Sequence, residues 1–361
     1  MKRFANCILI LTVLLIFLFS NSVFAESADY AQITTKFNSD SISNALIVSD
    51  EEIYLCGLYP DGSWLKKTNV RNDALAEWSF RKTIGDQPVI QCLTVADNAL
   101  LVGLVDSNTQ KAAVAIIQGS NVTYVNLPEG RKVQLWGMTA DYNGLSIISH
   151  SDTASERTIY YNHVSINGIT DSYQVGQSKA KDIVIADSFS CMSANRIYVL
   201  RMTQIDGVVN NCNRELISYD LEGRQLWQIA LPSDVVIRGM KLDTDSVFLY
   251  GMQRFEEYNC ALIMRYSPDG TLEWMKSHDE IEQVLDLNIG QENIYFAGTI
   301  TDSPEQFCIF GLTKHGTQTY SEKIILPEAY NTYLHYEDTH VSIIQNYDNI
   351  PCLWQISKKE S

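Results

Sequence analysis

Seven residues spread along this chain have types suited to holding a polar molecule: Asn44, Gln91, Gln134, Asp187, Arg238, Asp286 and Tyr333. Six carry amide, carboxylate or guanidinium groups, and Tyr333 adds a hydroxyl. Arg238 with Asp187 and Asp286 is a set able to orient a polar ligand through charge-assisted hydrogen bonds. Two converging carboxylates would also suit acid and base roles in a hydrolase or lyase acting on a carbohydrate-like substrate. A competing reading is that polar side chains sit at these positions because a central channel is wet.

These residues are chosen by a repeat. A short apolar run ending in Gly or a polar residue recurs seven times, as in Ile53-Tyr54-Leu55-Cys56-Gly57, Val247-Phe248-Leu249-Tyr250-Gly251 and Ile294-Tyr295-Phe296-Ala297-Gly298. The runs end at positions 57, 103, 149, 201, 251, 298 and 345. A period of forty to fifty residues built from short strands is the mark of a β-propeller, one blade per repeat. In such a ring the first strand of each blade lines the channel. Counting back from each run, with a longer hairpin allowed in the third, gives one residue per blade at the channel mouth, and these are the seven above.

The rest of each repeat fits four antiparallel strands. In the sixth they are predicted over 284–288, 293–301, 307–312 and 317–324. Turns such as Asp220-Leu221-Glu222-Gly223, Pro268-Asp269-Gly270 and Lys314-His315-Gly316 mark hairpins. An aromatic follows each glycine by four residues: Trp227, Trp274 and Tyr320. Together with Trp78, these are read as packing between blades. The fourth repeat carries a loop insertion over 206–213. The seventh offers only three strands, over 332–336, 341–347 and 351–357. The segment 30–37 precedes the first blade and is expected to supply the missing outer strand, closing the ring and removing an open edge.

These motifs carry a resemblance. Ile294 to Thr299 with Ile309-Phe310-Gly311-Leu312 and Gly316, and Ala261 to Trp274 with its Ser267-Pro268-Asp269-Gly270 turn, resemble the repeats of bacterial secreted seven-bladed β-propellers. The Gly-x-x-x-Trp endings at Gly223/Trp227 and Gly270/Trp274 are also similar to pyrroloquinoline-quinone-type repeats. The resemblance covers the chain beyond residue 25 and implies an all-β, seven-bladed fold. Quinone enzymes of that type often place adjacent cysteines at the cofactor. No Cys-Cys pair occurs in this chain, so no cofactor is expected.

The first 25 residues read as a signal peptide. Lys2 and Arg3 precede an apolar stretch from Cys7 to Phe19, and Val23-Phe24-Ala25 suits cleavage. The stretch is short of the roughly 20 residues a span needs. Residues 26–361 are then one propeller domain, exported to the exterior or the cell envelope. The formal net charge of −16 disfavours nucleic acid and anionic lipid as partners. Seven cysteines follow residue 25, scattered through apolar segments with no CxxC, and most are read as buried small hydrophobes. His335 and His340 straddle a hairpin without a recognisable third ligand, so no metal is expected. Asp243-Thr244-Asp245-Ser246 lacks the Gly and closing Glu of a calcium loop and reads as a turn. The preferred function is a secreted, non-catalytic propeller, monomeric, binding a protein or carbohydrate ligand. The alternative is the hydrolase or lyase above.

Overall fold

Seven four-stranded antiparallel sheets, arranged as a propeller, make up the computed structural model, and there is no helix among the described residues. The structure describes residues 33–37, 39–133, 137–141, 143–179, 189–204, 212–300, 303–325, 330–336 and 340–357. Numbering strands in chain order, blade 1 holds β2 (Asn44–Ser49), β3 (Glu52–Tyr59), β4 (Gly62–Thr68) and β5 (Ala76–Ser79). Blade 2 holds β6 (Pro88–Ala96), β7 (Ala99–Asp106), β8 (Ala112–Gln118) and β9 (Asn121–Asn126). Blade 3 holds β10 (Met138–Asp141), β11 (Gly144–Asp152), β12 (Glu156–Ser165) and β13 (Gly168–Lys179). Blade 4 holds β14 (Phe189–Met192), β15 (Ile197–Gln204), β16 (Cys212–Tyr219) and β17 (Gln225–Ala230). Blade 5 holds β18 (Val235–Asp243), β19 (Ser246–Arg254), β20 (Asn259–Tyr266) and β21 (Leu272–His278). Blade 6 holds β22 (Ile281–Ile289), β23 (Asn293–Ile300), β24 (Ser303–Thr313) and β25 (Gln318–Ile325). Blade 7 holds β26 (Tyr330–Tyr336), β27 (His340–Tyr347), β28 (Ile350–Ser357) and, from the other end of the chain, β1 (Ile33–Lys36).

The apolar runs read from the sequence are the second strands, and their composition follows from where they sit. A middle strand is covered on both faces by neighbouring blades, so it is apolar throughout: all eight residues of β7 are buried. An outer strand is covered on one face only, and β17 alternates exposed and half-buried residues along its end. The core is therefore divided into one apolar cluster per blade interface. Leu65 and Val102 share a cluster between blades 1 and 2, Leu101 and Leu145 between 2 and 3, and Ile148 and Val199 between 3 and 4. Leu216 and Leu249 join blades 4 and 5, Ile263 and Phe296 join 5 and 6, Ile309 and Ile343 join 6 and 7, and Leu55 and Ile344 join 7 and 1. Each fully buried Leu, Ile, Val or Phe contributes about 1.5–3 kcal/mol.

Ring closure follows the expected scheme. β1 pairs antiparallel with β28, placing Ile33 opposite Trp354 and Lys36 opposite Cys352. A buried carboxamide reinforces the join: Asn346 Oδ1 accepts from the Ile42 amide at 2.8 Å, and its Nδ2 donates to the Ile42 carbonyl at 2.7 Å. Thr35 adds a hydroxyl bond to the Val70 carbonyl, so the closing strand also touches blade 1.

Three outer-strand aromatics, Tyr173, Trp227 and Trp274, lie between blades, and each meets the turn glycine of the next repeat rather than its own. An added Cβ at Gly223 would stand 2.8 Å from the Tyr173 ring, at Gly270 2.9 Å from Trp227, and at Gly316 3.0 Å from Trp274. Those glycines have φ of 79°, 88° and 80°, so the same residue must supply both a left-handed conformation and the space for a ring. The indole N–H of Trp227 donates to the Pro268 carbonyl at 2.8 Å, and that of Trp274 to the Lys314 carbonyl at 3.0 Å. The side chain of Tyr320 and most of the 206–213 insertion lie outside the described residues.

Candidate functional site

The seven strands β2, β6, β10, β14, β18, β22 and β26 are the inner members of their sheets. Asn44, Asp286 and Tyr333 hold the same place on three of them. Asn44 stands opposite Cys56, Asp286 opposite Ala297, and Tyr333 opposite Ile344, in each case one residue before the end of the apolar run. Their polar atoms reach across to the following blade. Asp286 Oδ2 accepts from the Leu334 amide of blade 7 at 3.1 Å. The Tyr333 hydroxyl donates to the Ser43 carbonyl beside blade 1 at 2.8 Å. Asn44 Nδ2 donates to the Gln91 carbonyl of blade 2 at 2.9 Å. Blades 6, 7, 1 and 2 are thus stitched in succession around the centre, each hydrogen bond contributing about 1 kcal/mol.

Gln91 and Arg238 fall elsewhere. Each sits at a register shift, between Ile90 and Cys92 and between Ile237 and Gly239. A bulge inserts one residue and re-aims its side chain, so a fixed count along the sequence misses the residue in phase, by two positions in blade 2 (Leu93, opposite Val102) and by one in blade 5. In blade 5 the residue in phase is Gly239, opposite Tyr250. The phenol of Tyr250 fills the space left there: a Cβ on Gly239 would come 2.2 Å from its hydroxyl. Burial, and then the Asp286 carboxylate, push the Tyr250 hydroxyl well above the usual tyrosine range. Burial likewise raises Tyr333, with Cys56 and Asp286 adding to it. Tyr250 is therefore a member of the Asp286 environment that counting along inner strands missed. The signal available was a glycine facing an aromatic in one repeat alone. Arg238 is exposed, and Gln134 and Asp187 lie outside the described residues.

A second polar group, absent from the sequence reading, is buried in blade 3. The Ser146 hydroxyl donates to Asp141 Oδ2 and lies 3.0 Å from the Tyr161 hydroxyl. His163 Nε2 is 3.2 Å from Asp141 Oδ1, and its Nδ1 is 2.7 Å from Thr170 Oγ1. The Asp141 and His163 side chains are 0% and 2% exposed. Serine, histidine and aspartate suggest acyl transfer, yet the wiring opposes it. The carboxylate lies between the other two, so the imidazole is bonded to the aspartate and threonine rather than to the serine it would activate. The cluster instead ties the β10–β11 hairpin to β12.

The cysteines behave as apolar residues. Cys56, Cys92, Cys191, Cys260, Cys308 and Cys352 are all buried. Burial, with Asp141 adding to it, pushes Cys92 up to about 12. A thiol so shifted stays protonated near neutrality and is a poor nucleophile.

Two solvent-facing features among the described residues concern binding. A cleft of about 490 Å³ runs along the outer side of the ring closure, where Phe37, Leu55, Lys66, Asn72, Leu75 and Glu77 contribute to its wall. The other is the β19–β20 hairpin. Phe255 and Tyr258 stack on each other there with ring centroids 4.8 Å apart and an interplanar angle of 22°. They are 43% and 46% exposed.

No family model matches the chain, and no curated protein matches it. Solved structures share the fold. The polysaccharide lyase Uly1 superimposes with a TM-score of 0.53 at 8% identity, covering 93% of both chains. The C-terminal WD40 domain of Sif2 gives 0.53 at 10% identity, covering 92% of this chain and all of that one (100%). The Dos1 propeller gives 0.51 at 8%, covering 89% of this chain and 80% of that one. Likeness at this identity shows the propeller fold and no activity.

Proposed function

We propose that this chain is a secreted, non-catalytic propeller that binds a protein or polar ligand on an exposed face. The observation that carries the reading is the solvent-facing Phe255/Tyr258 pair, two aromatic rings stacked on each other at a hairpin tip. Exposed aromatics of this kind are typical anchors of recognition surfaces. The inner ring favours the same reading. Asp286 Oδ1 accepts from the Leu287 amide at 2.8 Å and Oδ2 from Leu334, so both carboxylate oxygens engage backbone donors. A carboxylate held this way acts as a structural staple, and the acid–base role in a funnel loses one of its members. Export is supported by the charged, apolar and small-residue order of the first 25 residues.

The test is an array of peptides and oligosaccharides probed with the exported protein and with Arg238→Ala. A saturable ligand with no turnover supports the reading, and loss of that ligand in Arg238→Ala would bring the channel mouth into the site. Depolymerisation of any arrayed glycan, abolished by Asp286→Asn, would replace the reading with the hydrolase or lyase. Amino-terminal sequencing of the exported protein is expected to begin at Glu26.

A further inference from the structure

We propose that the edge of blade 5 carrying the Phe255/Tyr258 hairpin docks a lysine- or arginine-rich segment of a partner protein. This rests on the binding reading above and specifies the chemistry of the partner.

The rings are not needed for the turn. Backbone closes it, with the Phe255 amide donating to the Tyr258 carbonyl at 2.8 Å. The corresponding β3–β4, β7–β8, β11–β12 and β27–β28 connections turn on small polar residues or proline, such as Pro60-Asp61, Ser107-Asn108, Thr153 and Asp348-Asn349. Among the described residues, only the β19–β20 tip reads aromatic-Glu-Glu-aromatic. Leaving two large rings in water forgoes the stabilisation their burial would give, and folding gains nothing visible in return.

The surroundings are acidic on both sides. Strand register sets the order along this edge: Val235 faces Gln253, Gln253 faces Cys260, and Ala261 faces His278. Asp234 therefore flanks the hairpin on the inner side, and Asp279 with Glu280 on the outer side. Asp279 is near enough to Cys260 to raise its thiol further after burial has done so. Asp234 also fixes the hairpin base, accepting from Gln253 Nε2 at 2.8 Å while its carbonyl takes the Arg254 amide at 2.7 Å. Glu256 and Glu257 are exposed at the tip, and exposed Glu282 sits on the β22 bulge just beyond. The cations here are fewer than the carboxylates: Arg254 on the hairpin, Arg214, which donates to the Ser233 carbonyl at 3.3 Å, and Lys276 beside His278.

An aromatic pair ringed by carboxylates fits cationic side chains. A guanidinium or ammonium over an exposed ring is attracted by the ring's negative face, and more strongly when desolvated. The carboxylates steer a basic chain and repel acidic ones, which excludes acidic polysaccharides from the same edge.

The experiment uses the exported protein and a fluorescent oligoarginine peptide, with a Gly-Ser peptide and a neutral oligosaccharide alongside, read by anisotropy at low and high salt. Oligoarginine is expected to bind saturably and more weakly as salt rises. Phe255→Ser with Tyr258→Ser should weaken it about tenfold, and Glu256→Gln with Glu257→Gln severalfold. Glu222→Gln with Glu292→Gln, which removes the same charge from the opposite edge, should change it less than about twofold. The inference fails if oligoarginine does not bind, if the far-edge pair matters as much as the hairpin pair, or if the ring variant binds normally. It also fails if the neutral oligosaccharide is the species held by the rings. An arrayed ligand indifferent to the ring variant would sink this inference and leave the binding reading standing. Turnover would sink the binding reading itself.

Discussion

Blades 3 to 6 are joined at their outer edges by a ring laid on the next blade's turn glycine, whereas blades 1 to 3 have no such contact, although every one of these repeats carries a turn glycine or an outer aromatic. The difference lies in turn length. The outer turns of blades 4 and 5 span 220–224 and 267–271, and that of blade 6 spans 314–317, each beside a bulge at Ser218/Tyr219, Arg265/Tyr266 or Gly311/Leu312. They lean far enough to cover Tyr173, Trp227 and Trp274. The outer turns of blades 2 and 3 are two-residue hairpins, 119–120 and 166–167. Nothing lies within 4 Å of a Cβ built on Gly119 or Gly168, and Tyr124 is left 40% exposed. Blades 3 to 6 are therefore fastened at both their apolar clusters and their rim, whereas blades 1 to 3 lack the rim contact and hold by their clusters and by bonds such as Asn44 to the Gln91 carbonyl.

The largest expected effect tests where fastening matters most, at the closure of the two chain ends. Asn346→Ala removes the two side-chain hydrogen bonds to the buried Ile42 amide and carbonyl, and should cost about 3 kcal/mol in urea unfolding. Loss below about 1 kcal/mol would mean that the β1–β28 pairing closes the ring without it. Next, Trp227→Ala should cost about 2–3 kcal/mol through lost packing and the lost indole bond. Tyr124→Ala should stay under about 1 kcal/mol, and equal costs would erase the distinction between the two sides.

Glycine substitutions sharpen it further. Gly119→Ala pays only for a left-handed alanine, about 1 kcal/mol. Gly270→Ala adds the Trp227 clash and should cost about 2 kcal/mol, with the excess vanishing in a Trp227→Ala background.

The smallest effect is one of pH. His278 packs on Phe296 and Phe310 at 5.2 and 4.8 Å, and burial, then Lys276, hold its pKa below the ordinary 6.5. The unfolded chain therefore binds the proton more tightly. The stability this gives is complete above about 6.5 and is lost as pH falls through the folded value. His150 adds in the same direction, lowered by burial and then by Arg157. Melting temperature should fall between neutrality and mild acid, and His278→Phe should flatten part of that fall. An unchanged profile in His278→Phe would assign the acid loss to other groups.

Much of this architecture was legible because a propeller repeats one local problem. A strand covered on both faces must be apolar throughout, and a tight turn must carry glycine, so the runs ending at 57, 103, 149, 201, 251, 298 and 345 and the turns at Gly223, Gly270 and Gly316 marked the blades directly. Three strands at the end and a spare segment at the start implied β1 with β28. The inner ring was less legible. A bulge adds a residue without altering composition, so Gln91 and Arg238 were selected although the in-phase position in blade 5 is Gly239. Tyr250 belongs to the second strand, and its approach to Asp286 depends on how blades 5 and 6 face each other.

The sequence alone determined the number of blades, the class of each strand and the way the ends meet, because burial and turn conformation act within one repeat. The fold decided the partners: which ring covers which glycine, that Asn44, Asp286 and Tyr333 stitch neighbouring blades, and that acidic residues from 234 to 282 gather around one aromatic hairpin. Those contacts join different repeats, and no local spacing encodes the angle at which two sheets pack.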